Sequence, residues 1–172
     1  MKITYQPAGP EDAPALHVHL ESVLRETTHA PTRPEELPSL RELREHLADA
    51  GGSSERHLCL LALDGGRIVG HGDIYRGSLA ANQHTAMLGI AVQQEYWGRG
   101  IGTALLEHLL QWARHHQVQK VKLNVFAHNE RALALYRRFG FVEEGRERDE
   151  FRLDGQSVDN IIMALFLDQS KK

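Results

Sequence analysis

A short apolar strand runs into a glycine-rich turn and then into a regularly striped helix within the segment Ile90-Ala-Val-Gln-Gln-Glu-Tyr-Trp-Gly-Arg-Gly-Ile-Gly-Thr103. Gly98, Gly100 and Gly102 remove side chains where the first free N–H groups of that helix point outward, at the positive end of its dipole. Such a turn suits a phosphate, although a flexible turn followed by an ordinary cap has the same composition. It is not a Walker loop, because no Gly-Lys-Ser/Thr follows. Nor is it a good dinucleotide fingerprint, because it comes fourth in an antiparallel run rather than after a first parallel strand. Asn129 opens a later helix and Tyr136 follows two turns on, on its apolar face. The first reads as an N-cap or a ligand contact, the second as core or as a proton donor. His84 stands at the start of the strand leading to Val92, and its near-neutral intrinsic pKa suits a base. It reads equally as an exposed histidine in a polar turn with Asn82 and Gln83. Glu95, Asp73, Asp149 and Tyr75 are further candidates for the base.

The elements that must position these residues follow from periodicity. Residues 2–6 alternate up to Pro7 as an opening strand, and Pro10 to Thr28 carries an apolar face through Leu16, Leu20, Val23 and Leu24. A proline-rich break from Pro31 to Pro38 precedes a second helix through Leu40, Leu43 and Leu47 that stops at Gly51 and Gly52. His57 to Leu63, Asp64-Gly65-Gly66 and Arg67 to Tyr75 predict a hairpin, and Thr85 to Val92 the next strand. From Gly100 to about Gln117, Ile101, Leu105, Leu109 and Ala113 recur every fourth residue, which predicts a helix. Val118 to Phe126 is a strand, Asn129 to Gly140 a helix, and Glu150 to Leu153, Asp154-Gly155 and Val158 to Leu167 a closing hairpin. The predicted class is α/β (α+β), in the order β-α-α-β-β-β-α-β-α-β-β.

At 172 residues and 41% hydrophobic, the chain suits one domain over residues 1–167, with 168–172 as a polar tail. No window approaches the roughly 18 apolar residues of a membrane span, and the first residues lack the apolar run of a secretory signal. A single cysteine, Cys59, has no partner for a disulfide, so a soluble protein of the reducing cytoplasm is expected. The net charge of −3 provides no global field for nucleic acid. The 11 histidines are scattered, with Glu42–His46 and His17–Glu21 read as solvated helical pairs, so no metal is expected.

The loop Gly98-Arg99-Gly100-Ile101-Gly102, after a strand ending in Ile90-Ala91-Val92, resembles the acetyl-coenzyme A pyrophosphate loop of the GNAT superfamily of N-acetyltransferases. The segment Leu123 to Phe141, with Asn129 and Tyr136 at matching spacing, resembles the same family's later motif. The likeness spans residues from about 84 to 166. It implies a seven-stranded, mostly antiparallel sheet splayed at its central strands, with acetyl-CoA as cosubstrate. It assigns to acetyl-CoA the residues Ile90, Ala91 and Val92, the run Gly98, Arg99, Gly100, Ile101, Gly102 and Thr103, and also Asn129 and Tyr136. Many members carry Gln or Arg where Trp97 stands, so backbone donors would hold the pyrophosphate here. Tyr136 would protonate the departing thiolate and His84 would take the amine's proton. Arg131, Arg137 and Arg138 would lie near the adenosine end. The partner would be an amine-bearing small molecule or peptide, acetylated by direct attack in a ternary complex. The edge of the last hairpin could pair in a homodimer. A noncatalytic acyl-CoA sensor and a nucleotide-binding protein are the competing readings of the same loop.

Overall fold

A computed structural model describes residues 2–50 and 54–167. Seven strands form one sheet in the order β1-β2-β3-β4-β5-β7-β6. They are β1 (Ile3–Pro7), β2 (His57–Asp64), β3 (Arg67–Arg76), β4 (Thr85–Val92), β5 (Lys120–Phe126), β6 (Val142–Leu153) and β7 (Gln156–Phe166). The helices are α1 (Ala13–Glu26), α2 (Leu40–Asp49), α3 (Ile101–His115) and α4 (Glu130–Arg138). This is the predicted order, with short 3₁₀ turns added. Both Gly51-Gly52, where the second helix is expected to stop, and the tail at 168–172 lie outside the described residues.

Burial on both sides explains the unbroken apolar run of β2. Leu58, Leu60 and Ala62 join the larger core with α3, whereas Cys59 and Leu61 pack with Leu16, Leu43 and Leu47 of α1 and α2. Helices therefore cover both faces of the sheet, and a strand covered twice needs no polar side. In α3, Ile101, Leu105, Leu106, Leu109, Leu110 and Ala113 are all buried, as a wide stripe on a 3.6-residue period requires. Ser39 and Glu42 close a capping box at the start of α2, each accepting the other's backbone N–H. Val18 of α1 is 67% exposed, and His19 takes the buried position beside it.

The expected closing hairpin is longer than its apolar residues suggest. β6 begins at Val142, not at Glu150, and most of it is exposed. It forms the sheet's edge, where a charged run such as Glu-Glu-Gly-Arg-Glu-Arg-Asp-Glu is tolerated, so alternation is absent from its sequence.

The connection that matters most for function is β4 to β5. These strands run parallel and are paired at Thr85↔Lys120, Ala86↔Val121 and Met87↔Lys122 alone. Beyond Met87 they part, although β4 runs on to Val92 and β5 to Phe126. The central sheet opens there into a cleft.

Candidate active site

The parting leaves one edge of β4 without a neighbouring strand. Gln93 N–H donates to the Val69 carbonyl and Gly77 N–H to the Thr85 carbonyl, so the odd-numbered residues of β4 bond toward β3. Alternation turns the N–H and C=O groups of Leu88, Ile90 and Val92 into the gap. An extended ligand bearing amides can satisfy such an edge as a strand would.

The cleft has a volume of about 910 Å³, within the range of small-molecule sites. At one end lies the start of α3. Gly98 (φ +76°) and Gly100 (φ +80°) both occupy the left-handed region, and nothing stands within 4 Å of a Cβ placed on either. The first helical bond runs from Ala104 N–H to the Gly100 carbonyl, so the N–H groups of Ile101, Gly102 and Thr103 have no acceptor within the helix. The bare backbone and the helix dipole fit a diphosphate. Arg131 and Arg138 line the same end; the Arg131 guanidinium lies 4.6 Å over the Trp97 ring, and Arg138 Nη2 donates to Thr103 Oγ1 at 2.8 Å.

Of the residues expected to contact the cofactor, Ile90, Ala91, Val92, Gly98, Gly100, Ile101, Gly102, Thr103, Asn129 and Tyr136 all line the cleft. Arg99 does not line it, and its guanidinium lies over the Tyr96 ring at 5.1 Å. Arg137 stays outside as well, whereas Arg131 and Arg138 enter. Trp97, where no side-chain contact to the pyrophosphate is expected, instead braces the strand, since its indole N–H donates to the Val92 carbonyl at 2.7 Å. That bond uses the carbonyl and leaves the Val92 N–H facing the gap.

Asn129 caps α4 by accepting the Ala132 N–H on Oδ1 (3.2 Å), and capping leaves its Nδ2 unused. The alternatives drawn for it, cap and ligand contact, are thus compatible. Tyr136 is buried to 5% exposure against Phe141 and also lines the cleft. Burial pushes its hydroxyl pKa well above the ordinary value, so it remains a phenol at any physiological pH and keeps a proton to donate in a hydrogen bond.

His84 stands elsewhere. It is exposed at the start of β4, at the end where β4 and β5 are still paired, and its carbonyl accepts the Gln119 and Lys120 N–H groups. Eight extended residues, about 26 Å of strand, separate it from Val92. It does not line the cleft, and the geometry does not support it as the base. The further candidates also fall outside the lining. Glu95 pairs with Arg67 (2.9 Å), Asp149 pairs with Arg152 (2.7 Å), and Tyr75 is largely exposed. Asp73 accepts from His57 Nε2 (2.7 Å) and His46 Nε2 (3.2 Å). His46 is therefore not half of a solvated pair with Glu42; it ties α2 to the sheet. The two imidazole nitrogens and the carboxylate lie within 4.8 Å of one another, a donor set a divalent ion could use, and their mutual hydrogen bonds satisfy them without one.

Residues that the sequence does not single out build the other end of the cleft. Val23, Glu26, Thr27, His29, Ala30 and Pro31 come from the end of α1 and the connection after it. Asn124 and Phe126 of β5, Phe151 of β6 and Asn160 of β7 complete the wall. Glu26 is already engaged, accepting the Gln94 N–H (2.9 Å) and the Ser22 hydroxyl (2.8 Å). His29 Nδ1 is buried without a hydrogen-bond partner among the described residues, and desolvation, with His128 nearby, lowers its pKa, so the ring is neutral at pH 7.

Comparison with known proteins agrees with this geometry. The acetyltransferase (GNAT) family profile matches residues 20–141. The L-amino acid N-acetyltransferase AaaT of Escherichia coli is 30% identical over 131 residues, 74% of this chain and 76% of that protein. The alanine N-acetyltransferase of ribosomal protein bS18 from the same organism is 39% identical over 79 residues, 46% of this chain and about half (53%) of its own length. A GNAT-family acetyltransferase structure from Streptococcus pneumoniae superposes with a TM-score of 0.91 at 28% identity, covering 96% of this chain and 100% of that one. A profile matching most of the chain, a relative aligned over three quarters of both sequences, and a cleft built for a diphosphate and an amide-bearing arm lead to one assignment: the chain belongs to the GNAT family and is an acyl-CoA-dependent N-acetyltransferase.

Proposed function

We propose that the enzyme transfers acetyl directly from acetyl-CoA to a primary amine of a small molecule or protein N-terminus, with both substrates in the cleft together. The observation that carries this reading is the parting of β4 and β5 after three paired residues, which leaves a continuous path from the α3 N-terminus to the wall at Asn124 and Asn160. Acetyl-CoA supplies the acetyl thioester and a thiol leaving group.

The chain's own groups divide the work along that path. The N–H groups of Ile101, Gly102 and Thr103, with Arg131 and Arg138, hold the diphosphate. The edge of Ile90 and Val92 holds the pantetheine amides. The Val92 N–H, fixed in its strand, donates to the oxygen that gains charge during attack. Tyr136 donates to the sulfur as the thiolate departs. Because its pKa lies above a thiol's value of about 8.5, it stabilises the thiolate by hydrogen bonding rather than by surrendering its proton outright. The amine, with a pKa of about 10.4 as an alkylammonium, must lose its proton before attack, and water in the open cleft carries that proton to solvent. Cys59 supports the direct route, since it is fully buried under α1 and α2 with its pKa raised by desolvation, unlike a thiolate poised to carry acetyl.

Initial rates measured while both substrates are varied are expected to give intersecting double-reciprocal lines; parallel lines would establish a covalent relay and overturn the direct route. Tyr136→Phe is expected to lower kcat about a hundredfold with acetyl-CoA binding retained. Binding of acetyl-CoA with no turnover on any amine would instead support an acyl-CoA sensor.

A further inference from the structure

Asn160 is among the few polar residues the fold buries, at 4% exposure, and nothing in the cofactor end accounts for it. It lies on β7 opposite Phe126 of β5 and opposite Glu147 of β6. Its Nδ2 donates to Glu147 Oε2 at 2.6 Å and to Asn124 Oδ1 at 3.4 Å. A row of acceptor oxygens thus crosses three strands beside the cleft, with Asn124 and Asn160 in its wall and Glu147 just behind. The placement of Glu147 is built. β6 bulges between Glu147 and Phe151, where Asp149 takes φ +54° and donates its N–H to Asp159.

The charges around this row are one-sided. Glu147 has no cationic partner within ion-pair distance among the described residues, although neighbouring carboxylates do: Asp159 pairs with Arg146 (3.1 Å), Asp149 with Arg152 (2.7 Å) and Asp154 with Arg33 (4.0 Å). The arginines lining the cleft, Arg131 and Arg138, are engaged at the α3 N-terminus, over the Trp97 ring and on Thr103 Oγ1. Glu26 is the carboxylate among the described lining residues, and it accepts the Gln94 N–H. An ammonium group entering here meets oxygens, and a carboxylate on the adjoining carbon meets further negative charge, the lining arginines being held at the α3 N-terminus.

We infer that Asn124 and Asn160 receive the incoming ammonium, with the Glu147 carboxylate behind them supplying the negative charge, and that the enzyme selects primary amines whose neighbouring carbon bears no carboxylate, as at a peptide N-terminus, over free amino acids. The inference rests on the proposed transfer reaction. It also separates this chain from the acceptor class that the name of its E. coli relative AaaT describes.

L-alanine and L-alaninamide test it, because they share one amine and differ at the carboxyl group. Rates are compared per concentration of unprotonated amine, since the amide is the weaker base. The expected result is a kcat/KM at least about tenfold higher for alaninamide, carried mainly by KM, with Ala-Ala-Ala resembling the amide. In Glu147→Gln, an exposed substitution, the preference is expected to shrink at least about threefold, and in Asn160→Ala likewise. Alanine used as well as alaninamide, or a preference unchanged by Glu147→Gln, overturns the inference and leaves acetyl transfer standing. No transfer to any of the three amines overturns both.

Discussion

Replacing Trp97 by Phe isolates one hydrogen bond that holds the end of β4 proposed to meet the thioester. The indole N–H donates to the Val92 carbonyl at 2.7 Å, and the ring also carries Arg131 at 4.6 Å. Phe keeps an aromatic face for the guanidinium, a contact worth about 0.5–1 kcal/mol, and removes the donor alone. A net hydrogen bond contributes about 0.5–1.5 kcal/mol; the freed carbonyl faces an open cleft that water can enter, so the cost stays at about 1 kcal/mol. For a chain of this size that corresponds to a melting temperature lower by about 2–4 °C. Trp97→Ala also loses the Arg131 stack and is expected to cost about 2 kcal/mol. If Val92 presents its N–H to the thioester, loosening it also weakens transition-state binding. A loss of about 1 kcal/mol lowers kcat/KM for acetyl-CoA about fivefold. Differential scanning fluorimetry and steady-state kinetics on the two variants check both numbers. Trp97→Phe melting within about half a degree of the parent, with unchanged kcat/KM, would refute the idea that this bond sets the strand's geometry.

Two more outcomes follow from residues with double duties. Asn129→Ala is expected to lose about 1 kcal/mol of stability with the α4 cap, whereas Asn129→Asp keeps the Oδ1 acceptor and the stability. Both raise the KM for acetyl-CoA if the unused amide contacts the cofactor arm; an unchanged KM in both leaves Asn129 a cap alone. The His46–Asp73 tie gives a pH signature. Hydrogen bonding to Asp73 raises the His46 pKa, so its stabilisation is complete below the unfolded value of about 6.5 and is lost as pH rises through the folded pKa. Asp73 is held well below the ordinary carboxylate range by its hydrogen bonds to His46 and His57, which outweigh its desolvation, so its contribution persists above about 3.8 and fades in stronger acid. His46→Gln is therefore expected to lower the melting temperature most near pH 5.5 and little near pH 8.5; a deficit independent of pH would contradict this coupling.

What could be read from the residues alone follows from how locally each part of the site is assembled. The phosphate-binding end is one contiguous stretch, a strand, a glycine turn and a helix, and its geometry is a consequence of the turn's own backbone; Gly98 to Thr103 falls in the cleft as expected, apart from Arg99, whose neighbour Tyr96 draws it away. Asn129 and Tyr136 are similarly set by a single helix. The acceptor end has no such local source. It joins the end of α1 to β5, β6 and β7, and the hydrogen bonds that define it, Asn160 to Glu147 and to Asn124, connect residues 13 and 36 positions apart. Periodicity carries no information about contacts of that kind. The same distance explains the misplaced base: His84 is attractive for its pKa and its strand, but a strand has two ends, and the sequence does not say where β4 leaves β5. That point is set by the length of the β4–β5 pairing, three residues, and it puts the unpaired edge at Ile90 and Val92, far from the polar turn. The proposed cofactor contacts thus lie within a motif, whereas the proposed acceptor wall is an arrangement of distant residues. For that reason the charge balance around Glu147, rather than any run of residues, is where the substrate should be sought.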